Sequence, residues 1–235
     1  VRRVCVVAAV GTVLALAGCS GKPNDLRQGY GANATATQSA EQVTASSTAP
    51  PTTSTAPSTV DADALRRKLT SALLTEQVLA AEDLGPSAPP KAASRPPELA
   101  CGISPQNVGQ LSGGMQASWV SQSGQSTLVQ FVATGAEGGG RAVVEAVRAK
   151  LTCANYSRQG KAVQVTGKLD LADLSGVDDQ FAWCERATDN TGSCTLVLAA
   201  DDLVTVVRLD TISEARARTV LPRIAPKAAE ALTTG

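Results

Sequence analysis

The residue types that carry chemistry are unevenly supplied in this chain. Its 235 residues include no histidine, which removes the Ser-His-Asp triad, the H-E-x-x-H zinc motif and the commonest general base near neutral pH. Neither G-x-S-x-G nor S-x-x-K occurs. The adjacent aspartates Asp178-Asp179 and Asp201-Asp202 offer paired carboxylates. Glycosidases, however, need two such groups about 5–9 Å apart across a cleft, and adjacency in sequence supplies no such geometry. Turns and strand ends account for both pairs, and without a D-x-D-x-D-G-type loop they are weak calcium ligands. With aromatics at 3%, Trp119 and Trp183 stand out. Either could stack on a sugar or an apolar ligand, or fill the core of a strand. Arg208 has two readings as well: a partner for an anionic ligand, or a solvated strand end. The expectation is a protein with no catalytic residues and no metal or cofactor.

Six cysteines carry the remaining chemistry. Arg2 and Arg3 precede an apolar run, Val4 to Leu16, too short to cross a hydrocarbon core, which needs about 20 such residues. It has the shape of a secretory signal. Leu16-Ala17-Gly18-Cys19 follows and looks like a lipobox, in which the cysteine is acylated and becomes the first residue after cleavage. Two or more acyl chains anchor stably where one does not. Cys5 leaves with the signal, and Cys19 carries lipid. Cys101, Cys153, Cys184 and Cys194 remain, an even number that outside the cytoplasm reads as two disulfides. The alternative, a structural zinc site, would want C-x-x-C pairs or histidine, and the chain has neither.

Loss of residues 1–18 takes Arg2 and Arg3 and leaves a formal charge of −2, with no basic cluster to suggest a nucleic-acid partner. Residues 19–60 are rich in Ser, Thr, Ala and Pro and bury too little to offset chain entropy, so a disordered linker is expected. As a flexible coil it reaches about 35 Å. Residues 61–235 suffice for one domain with a core, drawn mostly from Val, Leu and Ala.

Within that domain Asp61 is placed to cap a helix carrying Leu65, Leu69, Ala72 and Leu73. A short helix from Thr75 carries Val78, Leu79 and Leu84, and the proline-rich stretch Gly85 to Pro97 reads as a loop. Gln116–Gln122 and Gln125–Thr134 form a hairpin about Ser123-Gly124, with Trp119 opposite Leu128. Gly138-Gly139-Gly140 leads, as a flexible loop, into a helix from Arg141 to Cys153 with Val143, Val144, Val147 and Leu151 in its stripe. Strands follow at Ala162–Leu169, Gln180–Arg186, Cys194–Ala200 and Leu203–Leu209. With Asp201-Asp202 as a turn, Val197 meets Val206 and Leu196 meets Val207. Both faces of that hairpin are apolar, so both need covering, by helix, partner or ligand. Thr211-Ile212-Ser213-Glu214 reads as a capping box opening a last helix that Pro222 and Pro226 should bend or break. The fold class expected is α+β: a central antiparallel sheet of about six strands with helices packed on it.

This arrangement resembles the PknH-like extracellular sensor domain of actinobacteria, found on receptor kinases and in free lipoproteins. The residues that carry the likeness, between about Leu65 and Leu232, are Leu73-Leu74-Thr75, Cys101 after a proline-rich stretch, Trp119, Cys153 closing the central helix, Trp183-Cys184 and Gly192-Ser193-Cys194. The resemblance implies a cleft, and bridges joining Cys101 to Cys153 and Cys184 to Cys194. It further implies a non-catalytic ligand-binding or sensor-like lipoprotein on the outer face of the cell membrane, taking a small molecule or cell-wall fragment. A protein–protein adaptor of an envelope receptor or enzyme is the alternative, and an envelope hydrolase using carboxylates alone is a third reading. Mass spectrometry of membrane-extracted protein should find Cys19 acylated at the N-terminus, and Cys19→Ala should move the protein to the soluble fraction.

Overall fold

A computed structural model describes residues 59–104, 111, 113–135 and 139–235. The expected signal, the Cys19 anchor and nearly all of the expected linker lie outside the described residues. Helix α1 (Thr59–Ser71) starts ahead of Asp61, which falls in its first turn rather than at its cap, where a carboxylate still favours the helix dipole. Leu69, Ala72, Leu73 and Leu74 are buried, while Leu65 stays exposed. A short helix, α2 (Glu76–Leu79), and one turn of 3-10 helix follow.

The sheet has eight antiparallel strands in the order β1-β2-β3-β8-β7-β6-β5-β4. They are β1 (Leu84–Ala93), β2 (Gly114–Ser121), β3 (Ser126–Thr134), β4 (Asn155–Arg158), β5 (Lys161–Lys168), β6 (Asp179–Ala187), β7 (Gly192–Ala200) and β8 (Leu203–Thr211). The six expected strands are all present, with Trp119 on Leu128, Val197 on Val206 and Leu196 on Val207. Two were not foreseen. β1 occupies the supposed proline-rich loop, with Leu84 as its first residue rather than part of a helix. As an edge strand, with its register slipping between Pro86 and Ala88 and again between Ala88 and Lys91, it can hold prolines that an inner strand could not. β4 is short and polar, and it turns into β5 through Gln159 and Gly160, both at positive φ, as a two-residue hairpin requires.

Each face of the sheet is covered by different elements. One face, with Leu128, Leu196, Leu198, Val207 and Leu209, packs against α1 and the last helix, α4 (Glu214–Thr234). The other, with Phe181, Trp183, Val197, Ala199, Val204 and Val206, receives α3 (Gly139–Lys150) and the Leu99–Ile103 segment. α4 is capped by Ser213, whose hydroxyl accepts from Arg216 N. Thr211 still belongs to β8, so the expected box is displaced. Pro222 and Pro226 lie within one continuous helix. Pro226 is exposed and Pro222 half-buried, both off its buried Leu221–Ala225–Ala228 stripe, and packing of that stripe holds the helix together despite the hydrogen bonds they remove. Disulfides join Cys101 to Cys153 and Cys184 to Cys194.

Of the glycine run, Gly138 lies outside the described residues, while Gly139 and Gly140 open α3, and Gly140 is required by close packing. A Cβ on Gly140 would stand 2.5 Å from the Leu203 carbonyl oxygen and 3.0 Å from Ala199 and Val204 side-chain carbons. Gly140→Ala therefore sets a helix-propensity gain of about 1 kcal/mol against backbone displacement, and overpacking of this kind costs about 1–3 kcal/mol. A net loss of stability is expected, read as a lower denaturation midpoint at unchanged m-value.

Candidate binding site

Helix α3 is too short to cover its whole face of the sheet. Where its cover ends, β6, β7 and β8 change character: Glu185, Ser193, Thr195, Arg208 and Asp210 replace the apolar residues on the same side. Sheet register sets them together, with Glu185 opposite Ser193 and Ser193 opposite Asp210. The β4–β5 hairpin then brings Tyr156 and Arg158 up beside them.

Glu185 is the hub, at 1% exposure. Its Oε1 accepts from Trp183 Nε1 at 2.7 Å. Its Oε2 accepts from Arg158 Nη1 at 2.6 Å, Tyr156 Oη at 2.9 Å and Ser193 Oγ at 3.1 Å, and Arg208 Nη2 lies 3.6 Å away. Burial, and then the Glu185 charge, push the Tyr156 phenol well above its ordinary value, so it stays protonated and donates. Arg208 is not the solvated strand end expected of it, since only 6% of it is exposed. Its Nη1 donates to the Glu98 carbonyl at 2.9 Å, its Nη2 to Ser193 Oγ at 3.1 Å, and its Nε and Nη2 to the Asp210 carboxylate at 3.0–3.1 Å. The surrounding atoms push Asp210 up to about 6 against the pull of Arg158. Even so, 44% of its side chain stays open, and water there favours the ionised form.

Above this network lies a cleft of about 430 Å³, lined by Glu98, Gln116, Arg158, Lys161, Arg208 and Asp210 among others. Of the sequence-proposed ligand residues, only Arg208 reaches it. Trp183 is fully buried, stacked on Phe181 with ring centroids 5.6 Å apart, and acts from beneath by fixing Glu185. Trp119 belongs to the core on the opposite face. The aspartate pairs are structural: Asp179 accepts from Arg148 at 2.6 Å, Asp178 from the Asp201 backbone N–H at 2.7 Å, and Asp202 from Lys68 at 2.8 Å. Sequence reasoning passed over Tyr156, Arg158, Glu185 and Asp210. One signal was there to find, the Gln159-Gly160 turn that makes Arg158 a hairpin residue. Among the described residues no helix is long and apolar enough to cross a membrane.

No family model matches the chain, and no curated protein matches it. Among solved structures it is similar to the extracellular domain of PknH from Mycobacterium tuberculosis, at 14% identity and TM-score 0.48, over 70% of this chain and 96% of that one. It is also similar to an uncharacterised protein of Mycobacterium smegmatis, described as the Rv0999 ortholog, at 12% identity and TM-score 0.36, over 67% and 96% respectively. The first is the kind of domain that the cysteine and tryptophan spacing resembles.

Removing Glu185 takes the hydrogen-bonded carboxylate from Arg158, and loss of one partner from a buried pair costs about 3–5 kcal/mol. Glu185→Ala is expected to destabilise the domain by that order in chemical denaturation. The Asp210 carboxyl should titrate near 6 when followed by carboxyl-carbon NMR, and higher in Arg158→Met. Because its folded pKa lies above the unfolded value, its contribution to stability is present below about pH 4 and is lost as the pH rises through its folded pKa.

Proposed function

We propose that this chain is a lipid-anchored, extracytoplasmic binding domain without catalytic activity, which takes a small polar molecule or cell-wall fragment in the cleft over Arg158, Arg208 and Asp210. One observation carries the reading: at the floor of an open cleft Arg158 is held by the buried Glu185 carboxylate and keeps an edge that no described residue uses, beside an Asp210 side chain that is partly open. Such preorganisation lowers the ordering cost of binding, and a concave site with a few convergent polar groups is the usual form of a small-ligand site. The acylated Cys19 and the linker to residue 60 would hold the domain off the bilayer, leaving the cleft free to meet envelope components. A binding role fits better than carboxylate hydrolysis, because Glu185 is saturated with donors and Asp210 is engaged by Arg208. The adaptor reading finds less support. Among the described residues the exposed large apolar side chains Leu65, Val120 and Ile212 stand on α1, β2 and the β8–α4 connection, on separate elements.

Native mass spectrometry of the full lipidated chain, extracted from its own envelope into nanodiscs, should reveal a retained small molecule that is lost in Arg208→Met. A clean apo mass, with no thermal shift from small envelope components such as amino sugars, amino acids and stem peptides, would overturn the proposal. So would turnover of any of them.

A further inference from the structure

We propose that the cleft recognises an α-amino-acid head group, its carboxylate on the outer edge of Arg158 and its ammonium on Asp210. This rests on the binding role proposed above and names the ligand class for the same site.

Arg158 is only half used by the protein. Its Nη1 donates to Tyr156 Oη at 3.0 Å and to Glu185 Oε2 at 2.6 Å. Its Nη2 reaches Asp210 Oδ1 only at 4.0 Å, beyond a hydrogen bond, and its Nε has no hydrogen bond to the described residues. Nε and Nη2 form one edge of the guanidinium, and two parallel N–H donors on such an edge match a carboxylate. Asp210 is the complementary half. Arg208 holds it from one side, while 44% of its side chain remains open. The unused edge of Arg158 and the open side of Asp210, whose oxygens also accept from Arg208, thus line one cleft with their nearest atoms 4.0 Å apart.

Charge decides between ligand classes. Arg158 and Arg208 balance Glu185 and Asp210, Lys161 at the rim is paired with Asp189 at 2.7 Å, and Glu98 adds one more carboxylate to the lining. A simple anion at Arg158 would sit against the Asp210 carboxylate, and a simple cation at Asp210 would sit against two guanidiniums. A ligand carrying both charges, reversed relative to the protein pair, meets an opposite charge at each end and adds no net charge. Ammonium nitrogen and carboxylate oxygen on one carbon lie roughly 3 Å apart by standard backbone dimensions, which suits the 4.0 Å between Arg158 and Asp210. Pro97, Val129 and Val163 in the lining leave an apolar wall for the side chain, and Gln116 offers its amide. A free amino acid carries such a head group, and so does the unlinked end of a diamino dicarboxylic residue in a cell-wall peptide.

Titration calorimetry on the full chain tests this with free alanine and methionine, with N-acetyl-alanine and alaninamide, with an N-acetylated amino sugar, and with a stem peptide ending in diaminopimelate. Binding of a free amino acid or of the stem peptide, at least tenfold weaker when either charge is blocked, supports the proposal and tells the two sources apart. Asp210→Asn, checked for folding by circular dichroism, should weaken zwitterion binding at least tenfold and tighten binding of the anion N-acetyl-alanine, since the carboxylate that opposes it is gone. Equal affinity for blocked and free forms overturns the inference without depending on any variant. Binding of the amino sugar alone, or of a retained molecule lacking an amino-acid head group, overturns it while the binding role stands. No binding and no retained molecule removes both.

Discussion

A carboxylate at 1% exposure can remain charged inside a protein only if donors surround it, and Glu185 sets that demand for half of this molecule. Trp183, Tyr156, Arg158 and Ser193 all donate to it, and Arg208 closes the ring through Ser193. These donors come from β4, β6, β7 and β8, so the group cannot assemble until most of the sheet is in register. Its satisfaction is therefore coupled to the tertiary fold. Replacing such a cluster with apolar residues can cost nothing in stability, so its presence on a part of the sheet that no described helix covers is better explained by the cleft above it. An apolar floor would have called for another helix. A neutralised, hydrogen-bonded floor can face water.

The rest of the architecture follows from how two apolar faces are covered. α4 spans the first face from a Ser213 cap to its end and can be long because little interrupts that surface. Glu214, in its first turn, is buried, which works against its ionisation. Hydrogen bonds from Thr166, Arg218 and Arg186 outweigh that and hold its pKa at about 2, tying the helix start to β5 and β6. The second face is covered in pieces, by α3 and by Leu99–Ile103. The Cys101–Cys153 bridge ties that second piece to the chain just beyond α3. Because Glu98 both lines the cleft and accepts from Arg208, the bridge also steadies a cleft wall. On the chain-entropy model it contributes about 4 kcal/mol and the shorter Cys184–Cys194 loop about 3 kcal/mol.

Much of this was legible beforehand where local pattern and tertiary environment agree. The β7–β8 hairpin was readable down to individual partners, because both strands are continuously apolar and Asp201-Asp202 left one register. The Trp119–Leu128 pairing followed in the same way from Ser123-Gly124. Reading failed where a local rule met an exception made elsewhere. The prolines of β1 argue against a strand until the strand is known to be an edge. Pro222 and Pro226 argue for a broken helix until their position off the buried stripe is known. β4 has no apolar alternation because it lies at the sheet edge and contributes polar groups to the site.

The amino-acid order by itself determined the α+β class, the antiparallel sheet, the apolar faces and the central pairings, since each depends on periodicities of two or 3.6 residues and on turns a few residues long. Only the tertiary structure decided that Arg208 is buried, that Trp183 holds a carboxylate and not a ligand, and that Arg158, Glu185 and Asp210 share one cleft. The reason is physical: burial and hydrogen bonding of these groups depend on strand order and on where α3 stops, which are properties of the whole packed sheet that no local window contains.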